Sequence, residues 1–263
     1  MVDGLDKFRE FFEGYEDSYI IIGGTACDRQ LSQLERPFRT TNDVDIILIA
    51  EALTPAFVER FWEFIEEGEY AVQEEESENR QFYRFMKPGV DGYPFQLELF
   101  SRLPDVITLK EGMRYTPIPV EEGLTSLSAI LMDDDYYQFT LENTDFIEGL
   151  HIASAGSLIA LKAKAYLDLT ERNAEQGNID SKKIKKHRND IVRLLSMLPG
   201  NYRVEVPAII KGDLMRYVVL LTEENPDMKQ VIKDAGLGGT THNELLTRVS
   251  TIFGLNTTTV VSK

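Results

Sequence analysis

Between Tyr19 and Ala50 the chain reads YIIIGGTACDRQLSQLERPFRTTNDVDIILIA, and this stretch narrows the choice of fold more than any other. The β-branched run Tyr19, Ile20, Ile21, Ile22 stops at Gly23-Gly24, and Ala26, Leu31 and Leu34 then recur at helical spacing from Thr25. This predicts a strand, a tight turn and a helix. Glycines let the backbone approach a bulky ligand, and a helix N-terminus offers unpaired N–H groups to an anion such as a phosphate. A second strand begins at Asp43-Val44-Asp45-Ile46. Its period of two puts both carboxylates on one face and Val44 and Ile46 on the other. Two carboxylates so placed repel each other unless a cation lies between them.

A glycine pair alone usually marks a turn, and Asp-x-Asp alone is common on solvated strand edges. The order strand, Gly-Gly, helix, Asp-x-Asp strand is far more specific. It resembles the nucleotidyltransferase superfamily, whose pattern is Gly-Gly or Gly-Ser followed, after a helix, by an Asp-x-Asp pair that holds magnesium. More narrowly, Gly23-Gly24-Thr25-Ala26 with Arg39-x-Thr41-x-Asp43-x-Asp45 is similar to the AbiEii-type abortive-infection nucleotidyltransferases, a family of toxins. The resemblance implies an α+β nucleotidyltransferase fold, a mixed sheet with flanking helices, over about residues 1–153. It also implies nucleotide binding by Gly23, Gly24, Thr25, Arg39 and Thr41.

At 263 residues the chain can hold one large domain or two small ones, and two are expected: the catalytic domain at 1–153 and a helical nucleotide- or substrate-binding domain at 154–263. The balance of 28 Lys and Arg against 44 Asp and Glu, a net −16, argues against extended DNA binding, which draws its affinity from neutralised phosphates. The segment from Glu63 to Glu78 carries eight Glu and no basic residue, and reads as a solvated helix and loop. Cys27, the single cysteine, excludes an internal disulfide and a cysteine-based zinc site. No apolar run approaches the ~18 residues of a membrane span. The expectation is a cytoplasmic protein without a membrane partner.

Further along, Leu5, Phe8, Phe11 and Phe12 predict a first helix, and Pro55 opens another with Phe57, Phe61, Trp62, Phe64 and Ile65 as its apolar stripe. Arg80–Met86 and Tyr93–Phe100 read as a hairpin, with Phe95, Leu97 and Leu99 on one face and Gln96 and Glu98 on the other. Glu98 is either a solvent-facing edge residue or, as the resemblance implies, the third carboxylate beside Asp43 and Asp45. Leu124, Leu127, Ile130 and Leu131 suggest a short helix, Tyr136–Leu141 a strand, and Leu150–Ala153 another. Asp133-Asp134-Asp135 reads as a solvated loop, not a metal site.

From Ser154 the pattern is helical. On a wheel of ~100° per residue, Leu158, Leu161, Ala165 and Leu169 share a narrow sector, and Lys162 falls inside it. Such a lysine either snorkels to solvent or meets an anion. The resemblance implies a nucleotide phosphate, since related proteins carry a lysine on the first helix after the catalytic sheet. The next helix, about 180–198, sets Lys182, Lys183, Lys186, Asp190 and Arg193 on its polar arc and His187 on its apolar one. Residues 151–200 hold nine Lys or Arg against five Asp or Glu. KKHRNDIVRL partly matches the family's Lys-Asp-x-x-Asp-Leu motif, with Asp190 as its first Asp, Asn189 in place of a basic residue and Arg193 in place of the second Asp. Lys186, His187 and Asp190 are therefore candidate substrate contacts, with a salt-bridged helix face as the alternative. Helices at about 207–223, 227–235 and 242–253 follow, with no evident chemistry.

By this resemblance Asp43, Asp45 and Glu98 hold two Mg²⁺ ions and perform catalysis with an NTP as co-substrate, moving a nucleoside monophosphate to an acceptor hydroxyl. The acceptor stays open between a small molecule, an RNA end and a protein. An antitoxin is a candidate partner. The competing expectation is a catalytically silent nucleotide-binding or partner-binding module that keeps the fold.

Overall fold

The structure is a computed structural model that describes residues 3–34, 38–39, 41–75, 82–101, 115–118, 130–224 and 226–255. It is an α+β protein built on a mixed sheet. The strands are β1 (Tyr19–Ile22), β2 (Asp43–Leu48), β3 (Ala71–Glu75), β4 (Phe82–Met86), β5 (Gln96–Ser101), β6 (Tyr115–Ile118), β7 (Thr144–Ile147) and β8 (Leu150–Ala153), in the spatial order β6-β3-β4-β5-β2-β1-β8-β7. β2 runs antiparallel to β1 and parallel to β5, and β4 runs antiparallel to β5.

The centre of the sheet follows from its apolar content. All four residues of β1 are buried, and in β2 Val44 and Ile46 are buried on one face while Asp43 and Asp45 stand half-buried on the other. The apolar face is covered by helices α1 (Leu5–Phe11) and α3 (Pro55–Glu67). Their rings interlock: Phe8 meets Phe64 edge-on with centroids 5.8 Å apart and lies tilted 4.6 Å from Phe12, and such aromatic pairs add to simple burial. α3 starts where the sequence predicts, because Thr54 accepts the Phe57 N–H at 3.2 Å and Pro55 occupies the first turn.

Helices then dominate: α4 (Asp134–Glu142), α5 (Ala155–Gln176), α6 (Ser181–Met197), α7 (Ala208–Glu224), α8 (Lys229–Asp234) and α9 (His242–Ile252). Among the last five, the helix expected from Ser154 starts there, and the sequence-predicted bounds of the other four hold to within a few residues. Ser154 caps α5, Asp180 caps α6, and Thr241 with Glu244 forms a capping box on α9. α5 lies against α2 (Gly23–Ser32), α4, α6 and α7. The buried apolar residues form one cluster running from Leu5 to Leu255.

Several local expectations are corrected. Tyr136–Leu141 is not a strand but the body of α4: Asp133 accepts the N–H groups of Asp135 and Tyr136, and Tyr136, Tyr137, Phe139 and Thr140 are buried at helical spacing. The acid triplet is a helix start. Phe95 does not share the packed face of Leu97 and Leu99; it is 47% exposed because β5 begins only at Gln96. The acidic stretch from Glu63 runs out of α3 into β3, and β3, β6 and β7 carry no alternation strong enough to reveal them. Leu124 and Leu127 lie outside the described residues. Among the described residues no helix is long and apolar enough to cross a membrane.

Candidate functional site

The polar face of β2 and β5 forms one wall of a cleft of about 370 Å³, and α5 and α6 form the other. The sheet wall presents Asp43, Asp45, Arg84, Met86, Gln96 and Glu98, and the helical wall Lys162, Leu169, Lys183, Lys186 and His187, with Gly24 and Arg39 between them. Two larger hollows exist, about 920 Å³ between α5 and α7 and about 730 Å³ beside α8. The first is lined mainly by apolar side chains, and neither gathers the carboxylates.

The carboxylates meet through strand register. Asp45 on β2 is opposite Glu98 on β5, which is opposite Arg84 on β4; two residues along, Asp43, Gln96 and Met86 form the adjacent row. Burial first, then the charges of Glu98 and Asp43, push the Asp45 carboxyl up to about 8, with a hydrogen bond to Glu98 adding to the rise. Glu98 is not left free on its strand. Its Oε1 accepts from Arg84 Nε and Nη2 at 2.8 Å each and from Gln96 Nε2 at 2.8 Å.

The glycine pair is explained by what presses on it. Gly23 has φ +72°, and a Cβ there would lie 1.7 Å from Asp45 Oδ2; a Cβ on Gly24 would meet Thr41 Oγ1 at 2.7 Å and Arg39 Nη2 at 3.3 Å. Gly23 is thus required by both its left-handed backbone and the approach of Asp45. α2 begins at Gly23 itself, without a separate turn, and no side chain caps its N-terminus among the described residues. Thr25 is fully buried and donates its hydroxyl to the Asp43 carbonyl at 2.6 Å. That bond ties the start of α2 to β2.

The basic residues are arranged around Asp190, whose side chain is wholly buried. Asp190 Oδ2 accepts from Lys162 Nζ at 2.9 Å and Arg39 Nη2 at 3.0 Å, and Oδ1 from Arg39 Nε at 3.2 Å and Arg193 Nη1 at 3.4 Å. Lys162 does not snorkel: it is 1% exposed, and the anion it meets is Asp190. Burial would raise the Asp190 carboxyl, but Lys162 and Arg39 outweigh it and hold it at about 2. Cys27 is buried beside this group, and burial pushes its thiol up to about 12, leaving it protonated and inert. Loss of water, followed by the charges of Lys162 and Lys186, drops His187 to about 3, so its ring is neutral, and its Nδ1 is buried without a partner. Lys186 is exposed at the cleft, and desolvation together with Arg39 and Lys162 lowers its ammonium below the usual lysine range.

All twelve candidate residues named from the sequence thus lie in or directly behind one cleft. Arg84 and Gln96 were missed. Both share the Glu98 face of a strand, but seeing that Arg84 is opposite Glu98 requires the hairpin register, which six turn-rich residues do not specify. Asp43, Asp45 and Glu98 offer the hard oxygen donors that Mg²⁺ prefers, and the raised Asp45 marks a shortage of positive charge. Among the described residues, however, no three His, Cys, Asp or Glu side chains stand as a ready-made metal cage. No protein-family model matches this sequence, and a search of the curated proteins returned no match.

Proposed function

We propose that the protein is a magnesium-dependent nucleotidyltransferase that moves a nucleoside monophosphate from an NTP to an acceptor hydroxyl, with release of pyrophosphate. One observation carries the reading: Asp43, Asp45 and Glu98 share a cleft with the glycine-opened N-terminus of α2 and with the cations of α5 and α6. Mg²⁺ bound to these carboxylates would draw charge from the phosphates and lower the pKa of the acceptor hydroxyl. Asp43 and Asp45 would hold the cation, whose charge would favour the ionised Asp45 carboxyl, and Glu98 would be the base for the acceptor's proton. Gly23 and Gly24 leave the backbone bare for the phosphates. Lys186 is the exposed cation on the opposite wall, with Lys162 held behind it by Asp190. The acceptor is a small molecule, an RNA end or a protein, and a toxin role with a separate antitoxin belongs to the same reading.

A second reading, a silent nucleotide-binding or partner-binding module, is favoured by Glu98 already being paired with Arg84. Incubation with each α-labelled NTP, Mg²⁺ and a cell extract, followed by separation into protein, RNA and small-molecule fractions, distinguishes the two. Label in one fraction, abolished by EDTA and by Asp45→Asn, supports transfer. Nucleotide binding that ignores metal, with no label in any fraction, refutes it.

A further inference from the structure

The row Arg84, Glu98, Asp45 places a fixed cation where a second metal ion would need to bind. Arg84 and Glu98 are 11% and 16% exposed, so the pair is largely shielded from water. Three donors converge on a single oxygen: Nε and Nη2 of Arg84 and Nε2 of Gln96, each at 2.8 Å from Glu98 Oε1. A carboxylate oxygen has two lone pairs, so Oε1 has none to spare for Mg²⁺, which demands near-ideal geometry at ~2.0–2.1 Å. A dication on this oxygen would also sit against a guanidinium that cannot lose its proton. Gln96 reinforces the arrangement, because it stands between Asp43 and Met86 in the next row and holds Oε1 from that side.

We infer that Arg84 is a positioning residue that replaces one of the two metal ions: the site takes a single divalent cation on Asp43 and Asp45, and the Arg84 guanidinium supplies the second positive charge beside Glu98. This rests on the nucleotidyltransferase reading and goes beyond it by setting the ion count. It also fits the absence, among the described residues, of a three-carboxylate cage, since Glu98 Oε1 is already held by Arg84 and Gln96.

The test counts ions by paramagnetic resonance of Mn²⁺ on the full chain, with a non-hydrolysable NTP analogue. Paired ions in two-metal sites lie ~3.5–4 Å apart and couple their spins. The wild type is expected to show the spectrum of one isolated ion. Arg84→Gln, which removes the charge and keeps a polar side chain, is expected to admit a second ion and give a coupled pair, whereas Arg84→Lys retains the isolated spectrum. A coupled pair in the wild type overturns the inference whether or not any variant folds, and so does an Arg84→Gln protein that still binds one isolated ion. If the wild type binds no Mn²⁺, or if Asp43→Asn leaves its single ion undisturbed, the metal-dependent reading itself fails and takes the inference with it.

Discussion

Replacing Asp190 by Asn keeps the shape of the side chain and removes the anion that Lys162 meets in the core. Lys162 is 1% exposed, so its ammonium is left buried without the carboxylate that offsets its charge. Breaking a buried pair from one side costs about 3–5 kcal/mol. For a chain of this size each kcal/mol lowers the melting temperature by about 2–4 °C, so the fall should lie between about 6 and 20 °C. Lys162→Met is the gentler change, because Asp190 keeps Arg39 at 3.0 and 3.2 Å and Arg193 at 3.4 Å. Its cost should be nearer about 1–3 kcal/mol. The double variant should be more stable than Asp190→Asn alone, since the buried ammonium that lost its carboxylate is then gone. pH supplies a separate check. The folded Asp190 carboxyl lies at about 2, below the ordinary value of 3.8, so its stabilisation is complete above about pH 4 and is lost as pH falls toward 2. Urea unfolding of the four proteins at pH 7, with wild type and Asp190→Asn repeated down to pH 3, measures all of this. An Asp190→Asn variant within ~1 kcal/mol of wild type, outside the range for a stranded buried charge, would refute the claim that this ion pair organises the wall.

Asp45→Asn should melt at a temperature equal to or above wild type in EDTA, and lose the rise produced by Mg²⁺ with NTP. Because the folded carboxyl is raised to about 8, the cost of Asp45 is absent below about pH 4 and grows up to about pH 8, so the advantage of Asn should widen across that window in thermal melts. Gly23→Ala should destabilise by at least about 1–2 kcal/mol from its left-handed backbone alone, and should also displace Asp45, whose Oδ2 lies 1.7 Å from the added carbon; calorimetry with and without Mg²⁺ reads both effects. Lys186→Ala, at an exposed position, should leave stability within about 0.5 kcal/mol while weakening NTP binding several-fold in a direct titration. Unchanged affinity would remove Lys186 from the site.

How much of this was legible in the sequence depends on how far apart the partners lie along the chain. The strand, glycine pair, helix and second strand sit within 19–50, and their order alone brings Gly23 to Asp45. The parallel pairing of β2 with β5 joins segments fifty residues apart, so Glu98 was visible as an unexplained charge in mid-strand, only the resemblance set it beside Asp45, and Arg84 on its other side was not visible. Lys162 stood out because a helical wheel placed it among Leu158, Leu161 and Ala165. Asp190 did not stand out as its partner, because the wheel assigns it to the polar arc of α6. At Asp190 that arc does not face water. α6 packs on both α2 and α5, and Asp190 is the point where its polar side becomes interior. β3 and β7 escaped notice for a related reason: their acidic residues interrupt the alternation that marks a strand, and backbone pairing with neighbours supplies what the side chains do not.

The placement of charge suggests why the cleft stays open. Within a chain of net −16, Lys162, Arg39 and Arg193 are gathered on Asp190 behind one wall, and Arg84 is committed to Glu98 in the other. Asp43 and Asp45 remain on the sheet side and Lys183 and Lys186 on the helical side. Among the described residues neither lysine makes an ion pair with either aspartate, so the walls are not locked to each other. An arrangement of this kind suits a ligand that carries both signs, with its cation turned to the aspartates and its anion to the lysines. A metal–triphosphate complex is such a ligand. A purely cationic ligand would satisfy the sheet wall and leave Lys186 opposed, and a purely anionic one would meet Asp43 and Asp45 at close range. On the proposed reading metal and nucleotide would therefore arrive together, which is why the Mg²⁺-dependent shift of Asp45→Asn is best measured with NTP present.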